Sequence, residues 1–394
     1  MVKTCDPVTG VQDRLLERNR IFEDFFAHQA RPLALACREM SDRFLRGGRL
    51  LAFGKGPYAT DAQHVSVEFV HPIIVGKRAL PALDLSLLFR PWLEAILLPD
   101  DIVMGFGPPE GDAEVSEALA FAHKRGAMTF ALPGHIGSYT LQPPTANPFV
   151  HQELMEILYH TLWETVHVFF EHRELGGDVG ESGFLYPFLG PSEVREDMND
   201  VVGEVAASIR MKAQEDAKLR AQIADEASQQ IVAAASAVHH RLTRGGKLIV
   251  FGNGGSATDA NDFAIDCVLP PEGYRPVPAI SLSMEPANLT AIANDVGIEL
   301  IFLRQIIAHA RPEDVAVGIS TSGGSRNIIM ALEEARKRGL LTVALLGYDG
   351  GEILRRRLAD FPLVVKSDYI PRIQEVQAST YHVIRETLEM LGHA

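Results

Sequence analysis

Phe251-Gly-Asn-Gly-Gly-Ser-Ala-Thr-Asp-Ala-Asn-Asp262 stands between an apolar run, Lys247–Phe251, and a helical pattern through Phe263, Ala264 and Val268. A buried strand that ends in glycines and opens a helix is where an α/β protein holds an anion. The glycines admit close backbone approach, and the helix start offers unpaired N–H groups at the positive end of its dipole. A second loop of the same kind, Gly318-Ile-Ser-Thr-Ser-Gly-Gly-Ser325, follows the apolar run Val315–Ile319 and precedes a helical stretch from Asn327 to Arg338. The hydroxyls of Ser320, Thr321, Ser322 and Ser325 at a helix N-terminus suit the oxygens of a phosphate monoester. Asn253, Gly254, Gly255 and Ser256 of the first loop join them as candidate binding residues.

Working outward, Arg244-Gly-Gly-Lys-Leu-Ile-Val-Phe-Gly-Asn-Gly-Gly-Ser-Ala-Thr-Asp259 aligns without a gap on Arg46-Gly-Gly-Arg-Leu-Leu-Ala-Phe-Gly-Lys-Gly-Pro-Tyr-Ala-Thr-Asp61. Asp101–Gly107 matches Asp314–Ser320, Ala122–Gly126 matches Ala335–Gly339, and Gln152–His160 matches Gln374–His382. The period is that of a whole domain, so the chain is expected to be a tandem duplication. The expected boundaries are 1–175, a glycine-rich connector at 176–194, and 195–394. Within the second half strands are expected at Leu248–Phe251, Val277–Leu282, Val315–Ile319, Leu341–Leu346 and Leu363–Val365. Helices are expected at 257–268, 286–293, 298–308, 325–338, 350–357 and 372–391. Such alternation gives a parallel sheet with helices on both faces, its ligands at the strand C-termini. Trp92 and Trp163 read as packing residues.

The chain of 394 residues carries a net charge of −14 without a basic run, which argues against nucleic acid or an anionic membrane as partner. The three cysteines are scattered, and no segment reaches the apolar length of a membrane span. A cytoplasmic protein is expected.

Gly252-Asn-Gly-Gly-Ser256, Asn294-Asp295, Ser320-Thr-Ser-Gly-Gly-Ser325, Gly350-Gly351, Arg372-Ile-Gln-Glu375 and His382 together resemble the sugar isomerase (SIS) domain, and within it the phosphoheptose isomerases. The resemblance covers about 190 residues of the second half and, more weakly, most of the first. It implies two SIS-type three-layer α/β domains in tandem, forming a pseudo-dimer with helical lead-ins. It also implies aldose–ketose isomerisation of a sedoheptulose 7-phosphate type substrate through an enediol, with a glutamate and a histidine moving the proton. Asp295 and Gln374 then become substrate contacts. Zinc or another divalent metal is implied, and no nucleotide cofactor. The implied partner is a phosphorylated sugar, in a homo-oligomer built as a dimer of pseudo-dimers.

The two halves depart from the family pattern in opposite ways. The family's His-x-x-x-Glu pair is Asp262 and Asp266 in the second half but His64 and Glu68 in the first. The resemblance makes His64, Glu68, Gln152 and His160 the metal set, although Gln152 and His160 lie about 12 Å apart on any regular helix. Acid–base roles fall on Glu68 or Asp266, with His160 or His382 as acid. The first half carries Gly107-Pro-Pro-Glu-Gly-Asp112 where the second has Ser320–Ser325, and only Lys55 offers a compensating charge. The second half lacks the acid expected before Arg372, having Pro371. Pooling of both halves' residues in one site is one expectation. The alternative to the isomerase is a non-catalytic phosphosugar-binding or metallocentre-assembly accessory protein in a hydrogenase-maturation context.

Overall fold

A computed structural model describes residues 6–72, 77–174 and 198–392. The chain divides into two compact units, Arg20–Glu215 and Met1–Asn19 with Asp216–Ala394, here the N-terminal and C-terminal units. Helix α1 (Pro7–Leu45) and helix α6 (Met198–Glu226) each contribute to both. The expected connector at 176–194 lies outside the described residues.

In the N-terminal unit β1 (Leu50–Gly54), α2 (Ala59–Val70), β2 (Ala82–Asp84), α3 (Phe89–Ile96), β3 (Ile102–Phe106), α4 (Ala113–Lys124), β4 (Met128–Leu132), β5 (Tyr139–Thr140) and α5 (Pro148–Glu174) follow α1. The C-terminal unit runs α7 (Ser228–Thr243), β6 (Leu248–Gly252), α8 (Gly255–Val268), β7 (Ala279–Ser281), α9 (Pro286–Val296), α10 (Ile301–His309), β8 (Val315–Ser320), α11 (Arg326–Lys337), β9 (Leu341–Gly347), α12 (Gly351–Arg355), β10 (Phe361–Val365) and α13 (Ile370–Gly392). Each unit has a five-stranded sheet, ordered β2-β1-β3-β4-β5 in the first and β7-β6-β8-β9-β10 in the second. All the pairings are parallel, and Leu50↔Ile102 repeats as Leu248↔Val315.

The sheets are parallel because their strands are apolar on both faces. Along β6, Leu248 and Val250 pack in one cluster with Val11, Ala264 and Tyr381, while Ile249 and Phe251 pack in the other with Phe302 and Leu332. The repeated Arg-Gly-Gly has the same cause in both units. Gly47 and Gly245 take φ of +90° and +84°, ending α1 and α7. A Cβ on Gly48 or Gly246 would stand 2.2 Å from the carbonyl oxygen of Asp100 or Glu313. Asp101 and Asp314, both fully buried, then tie the preceding segment to the strand: each accepts from the backbone N–H of Arg49 or Lys247 at 3.0 Å and pairs with that residue's side chain.

The expected elements of the second half are present, two of them shortened: α12 spans Gly351–Arg355 where 350–357 was expected. Strand β7 spans Ala279–Ser281 where Val277–Leu282 was expected, because Pro278 brings no N–H to the ladder. From Met198 to Thr243 the lead-in is two helices, broken at Ala227. Trp163 is buried as expected; Trp92 is 48% exposed, so it is not a core residue.

Candidate functional site

Both glycine loops of the C-terminal unit lie where strands of the sheet end. After β6 the chain turns at Gly254 (φ +57°), the residue that precedes α8, and this helix start has no side-chain cap. Gly252 is forced, since a Cβ there would lie 2.1 Å from the Ser256 carbonyl oxygen. After β8 the Ser320 hydroxyl accepts from Gly323 N–H at 3.2 Å and the Ser322 hydroxyl from Gly324 N–H at 3.2 Å, which folds the loop back on itself. Ser325 sits at the N-cap of α11 without a side-chain capping bond, so its hydroxyl is not spent on the helix. Ser320 and Ser256 are buried, Thr321 and Ser325 half-buried, and Ser322 exposed. Such a surface suits a phosphate that enters from solvent.

Two contacts that sequence reasoning missed hold this cradle together. Asn253 and Asn327 exchange amide hydrogen bonds in both directions, each at 2.9 Å, joining the loop after β6 to the first turn of α11. The loop before α12 presses on the second cradle loop, and Gly351 accepts no Cβ because Ser322 O would be 2.3 Å away. Only the residue type of Asn327, directly after a hydroxyl loop, was a signal in the sequence. Its partner is set by the fold. Replacement of Asn327 by Ala is expected to cost about 1 kcal/mol of stability, the net worth of the lost amide pairing, because the exposed Asn253 can turn to water. Phosphate-ester affinity should fall about tenfold in the same variant, a change of about 1.4 kcal/mol, read by urea denaturation and calorimetric titration.

Farther along α8, Asp262 and Asp266 meet His382 of α13. His382 Nε2 lies 3.0 Å from Asp266 Oδ2 and 3.5 Å from Asp262 Oδ2, and the Tyr381 hydroxyl donates to Asp262 at 2.7 Å. All three members of the cluster are buried. Burial first, and then the charge of Asp262, raise the Asp266 carboxyl, while His382 opposes the shift. The result is a carboxyl group that exchanges its proton near neutrality. Gln374, also on α13, is 2% exposed, and its Oε1 is buried without a hydrogen-bond donor among the described residues. Such an orphan costs about 1–3 kcal/mol until something donates to it. Asp295 is not brought into this cluster: it is exposed near the end of α9, accepting from Asn294 at 3.0 Å.

The N-terminal unit assembles a different centre. Ligand atoms of His64 on α2 and of Glu156 and His160 on α5 lie within 4.8 Å of one another, all three buried. The two imidazoles approach to 3.4 Å, and Glu68 Oε1 is 3.7 Å from His64. Burial, and then the charge of His160, lower the His64 pKa, so its ring is neutral and can offer a lone pair. Two imidazoles with carboxylates form a donor set suited to zinc or a similar divalent ion. Gln152 stands two turns before His160 inside α5, about 12 Å along the axis, and its amide donates to Thr60 at 3.4 Å. Glu156 escaped sequence reading, although it lies one turn from His160 on the same helix face.

In the loop corresponding to the phosphate cradle, charged side chains bond to one another and to the backbone. Asp112 caps α4, accepting from Val115 N–H at 3.0 Å. Lys55 donates to Glu114 at 2.6 Å and stands 3.7 Å from Asp112. The expectation that Lys55 offsets the lost hydroxyls is therefore corrected, since two carboxylates already occupy its charge.

A fold with two such sheets and hydroxyl-lined strand ends defines a class, and comparison with known proteins gives the same one. Residues 213–347 match the SIS domain family. A phosphoheptose isomerase of Geobacter sp. (strain M21) is 47% identical over 169 residues, 42% of this chain and 85% of that protein. The phosphoheptose isomerase of Thermodesulfovibrio yellowstonii is 39% identical over 187 residues, 47% of this chain and 92% of that protein. The chain belongs to the SIS-domain family that includes the phosphoheptose isomerases. Its whole-length fold is similar to the C-terminal domain of glucosamine-fructose-6-phosphate aminotransferase from Francisella tularensis, with a TM-score of 0.60 over 96% of both chains at 6% identity. Among the described residues no helix is long and apolar enough to cross a membrane.

Proposed function

We propose that the protein is a phosphosugar isomerase whose C-terminal unit interconverts an aldose and a ketose of the sedoheptulose 7-phosphate type. The observation that carries this reading is the buried Asp266–His382 pair, placed along the helix that opens at the Gly252–Ser256 loop. Asp262 and Asp266 stand about 9 and 15 Å along α8 from Ser256, at 1.5 Å per residue. A sugar whose phosphate lies at the first turn needs a long carbon chain to reach them; a triose is too short. In this reading Ser256, Ser320, Thr321, Ser322 and Ser325 hold the phosphate, with Asn253 setting the loop. Gln374 Oε1 accepts from a sugar hydroxyl. Asp266 removes the carbon-bound proton, giving an enediol, and returns it to the neighbouring carbon, while His382 exchanges a proton with the sugar oxygens. Asp262, fixed by Tyr381, keeps the Asp266 proton affinity high.

The His64, Glu156 and His160 cluster, with Glu68 beside it, would hold a divalent metal, which when bound supplies a Lewis acid. Elemental analysis of the purified chain is expected to find zinc or a related ion bound, and His64→Ala is expected to lose it while circular dichroism stays unchanged. For the reaction itself, incubation with sedoheptulose 7-phosphate followed by detection of the aldose tests the assignment. Saturable binding without turnover would instead fit the non-catalytic binding or metallocentre-assembly reading.

A further inference from the structure

The short helix that closes the C-terminal cradle has no equivalent in the N-terminal unit, and a cavity lies at the corresponding place. Between β9 and β10 the chain forms α12, and the preceding Gly350 lies against the cradle loop, its carbonyl oxygen 2.2 Å from where a Cβ on Gly323 would be. Between β4 and β5 there is no helix, and a Cβ on Gly111 would meet nothing within 4 Å. The space is a cavity of about 330 Å³ over the ends of β3 and β4. That volume is at the lower end of the range for small-molecule sites, roughly 300–1,000 Å³.

Its chemistry is the inverse of a phosphate site. Leu119 and Ala131 form an apolar base, and Pro109, Pro133 and Pro143 provide rigid walls. The polar lining includes Glu110 and Asp112, with no lysine or arginine. Asp112 is committed to the α4 cap and Lys55, whereas Glu110 has no hydrogen bond or ion pair among the described residues. Gln142 fixes the far wall, donating to Gly134 O at 3.1 Å and to His135 Nδ1 at 3.0 Å. With Nδ1 accepting, the neutral His135 ring carries its proton on Nε2 and presents a donor.

We propose that this cavity binds a small organic cation: an ammonium or guanidinium group paired with Glu110, an apolar or aromatic body against the prolines, and an acceptor for His135. The two carboxylates disfavour an anion, and the proline nitrogens have no N–H to offer one. The cavity is thus a second ligand site, of opposite charge preference to the phosphate cradle.

Tyramine and its neutral isostere tyrosol test the proposal on the full chain, with phenyl phosphate as the anionic control, followed by ligand-observed NMR and calorimetry. Tyramine is expected to bind saturably, at least tenfold more tightly than tyrosol, and phenyl phosphate is expected not to compete with it. Glu110→Gln should weaken tyramine at least fivefold, and Ile136→Arg, which brings a cation to the cavity lining, should abolish binding. Ser322→Ala should leave it unchanged. Equal binding of tyramine and tyrosol, indifference to Glu110→Gln, or no saturation by 10 mM tyramine would overturn the assignment. All three variants alter exposed side chains, and an unchanged thermal transition confirms that they are folded.

Discussion

Asp266→Asn is expected to lower kcat for the sugar-phosphate isomerisation by about 10³-fold while KM changes little, because general-base transfer contributes 10²–10⁴-fold. The amide is nearly isosteric, so the buried site keeps its shape, and the Asn side chain can still meet His382 across the 3.0 Å contact. The pH profile gives an independent reading. Burial and the Asp262 charge push the Asp266 carboxyl up to about 7. A base must be deprotonated, so kcat/KM should rise with pH through about 7 and level off above it. Asp262→Asn removes the repelling charge and should move that limb to lower pH. If Asp266→Asn retains wild-type kcat, the base lies elsewhere, and Glu68→Gln is the variant to examine next.

Much of the fold was written locally. The alternation of Leu248, Ile249, Val250 and Phe251 between two clusters is the pattern of a strand covered on both faces, and it is legible from four letters. The paired glycines before β1 and β6 were legible as a repeat, but their reason, contact with the carbonyls of Asp100 and Glu313, needed the neighbouring strand in place. The sharing of α1 and α6 between the units was not legible. A helical period is continuous, and it does not say which unit each end packs into. The same limit applied at the sites. The hydroxyl loop was readable because composition alone suits it to an anion. Glu156 and Asn327 were missed because each matters through a partner on another element, His64 for one and Asn253 for the other.

Gly323→Val is expected to weaken sugar-phosphate binding at least 100-fold and to cost about 2–4 kcal/mol of stability. Two requirements coincide at this residue. Its φ of +59° lies in the left-handed region, which a β-branched residue strongly disfavours. A Cβ would stand 2.2 Å from the Gly350 carbonyl oxygen, and this obstacle is backbone that cannot swing aside. The opposite surface is equally strict: Gly351, at φ +57°, allows no Cβ because of Ser322 O. To admit valine the two loops must part, and the Ser320 and Ser322 hydroxyls that accept from Gly323 and Gly324 then lose their places. The counterpart loop supplies the control. Gly111 also has a positive φ, +83°, but has open space around it, so Gly111→Ala should cost only about 1 kcal/mol and leave phosphate affinity untouched. Calorimetric titration with sedoheptulose 7-phosphate and denaturant melts separate the two effects. A Gly323→Val chain that remains folded and binds the sugar phosphate like wild type would remove this loop from the site, and with it the assignment of the C-terminal unit as the phosphate-holding half.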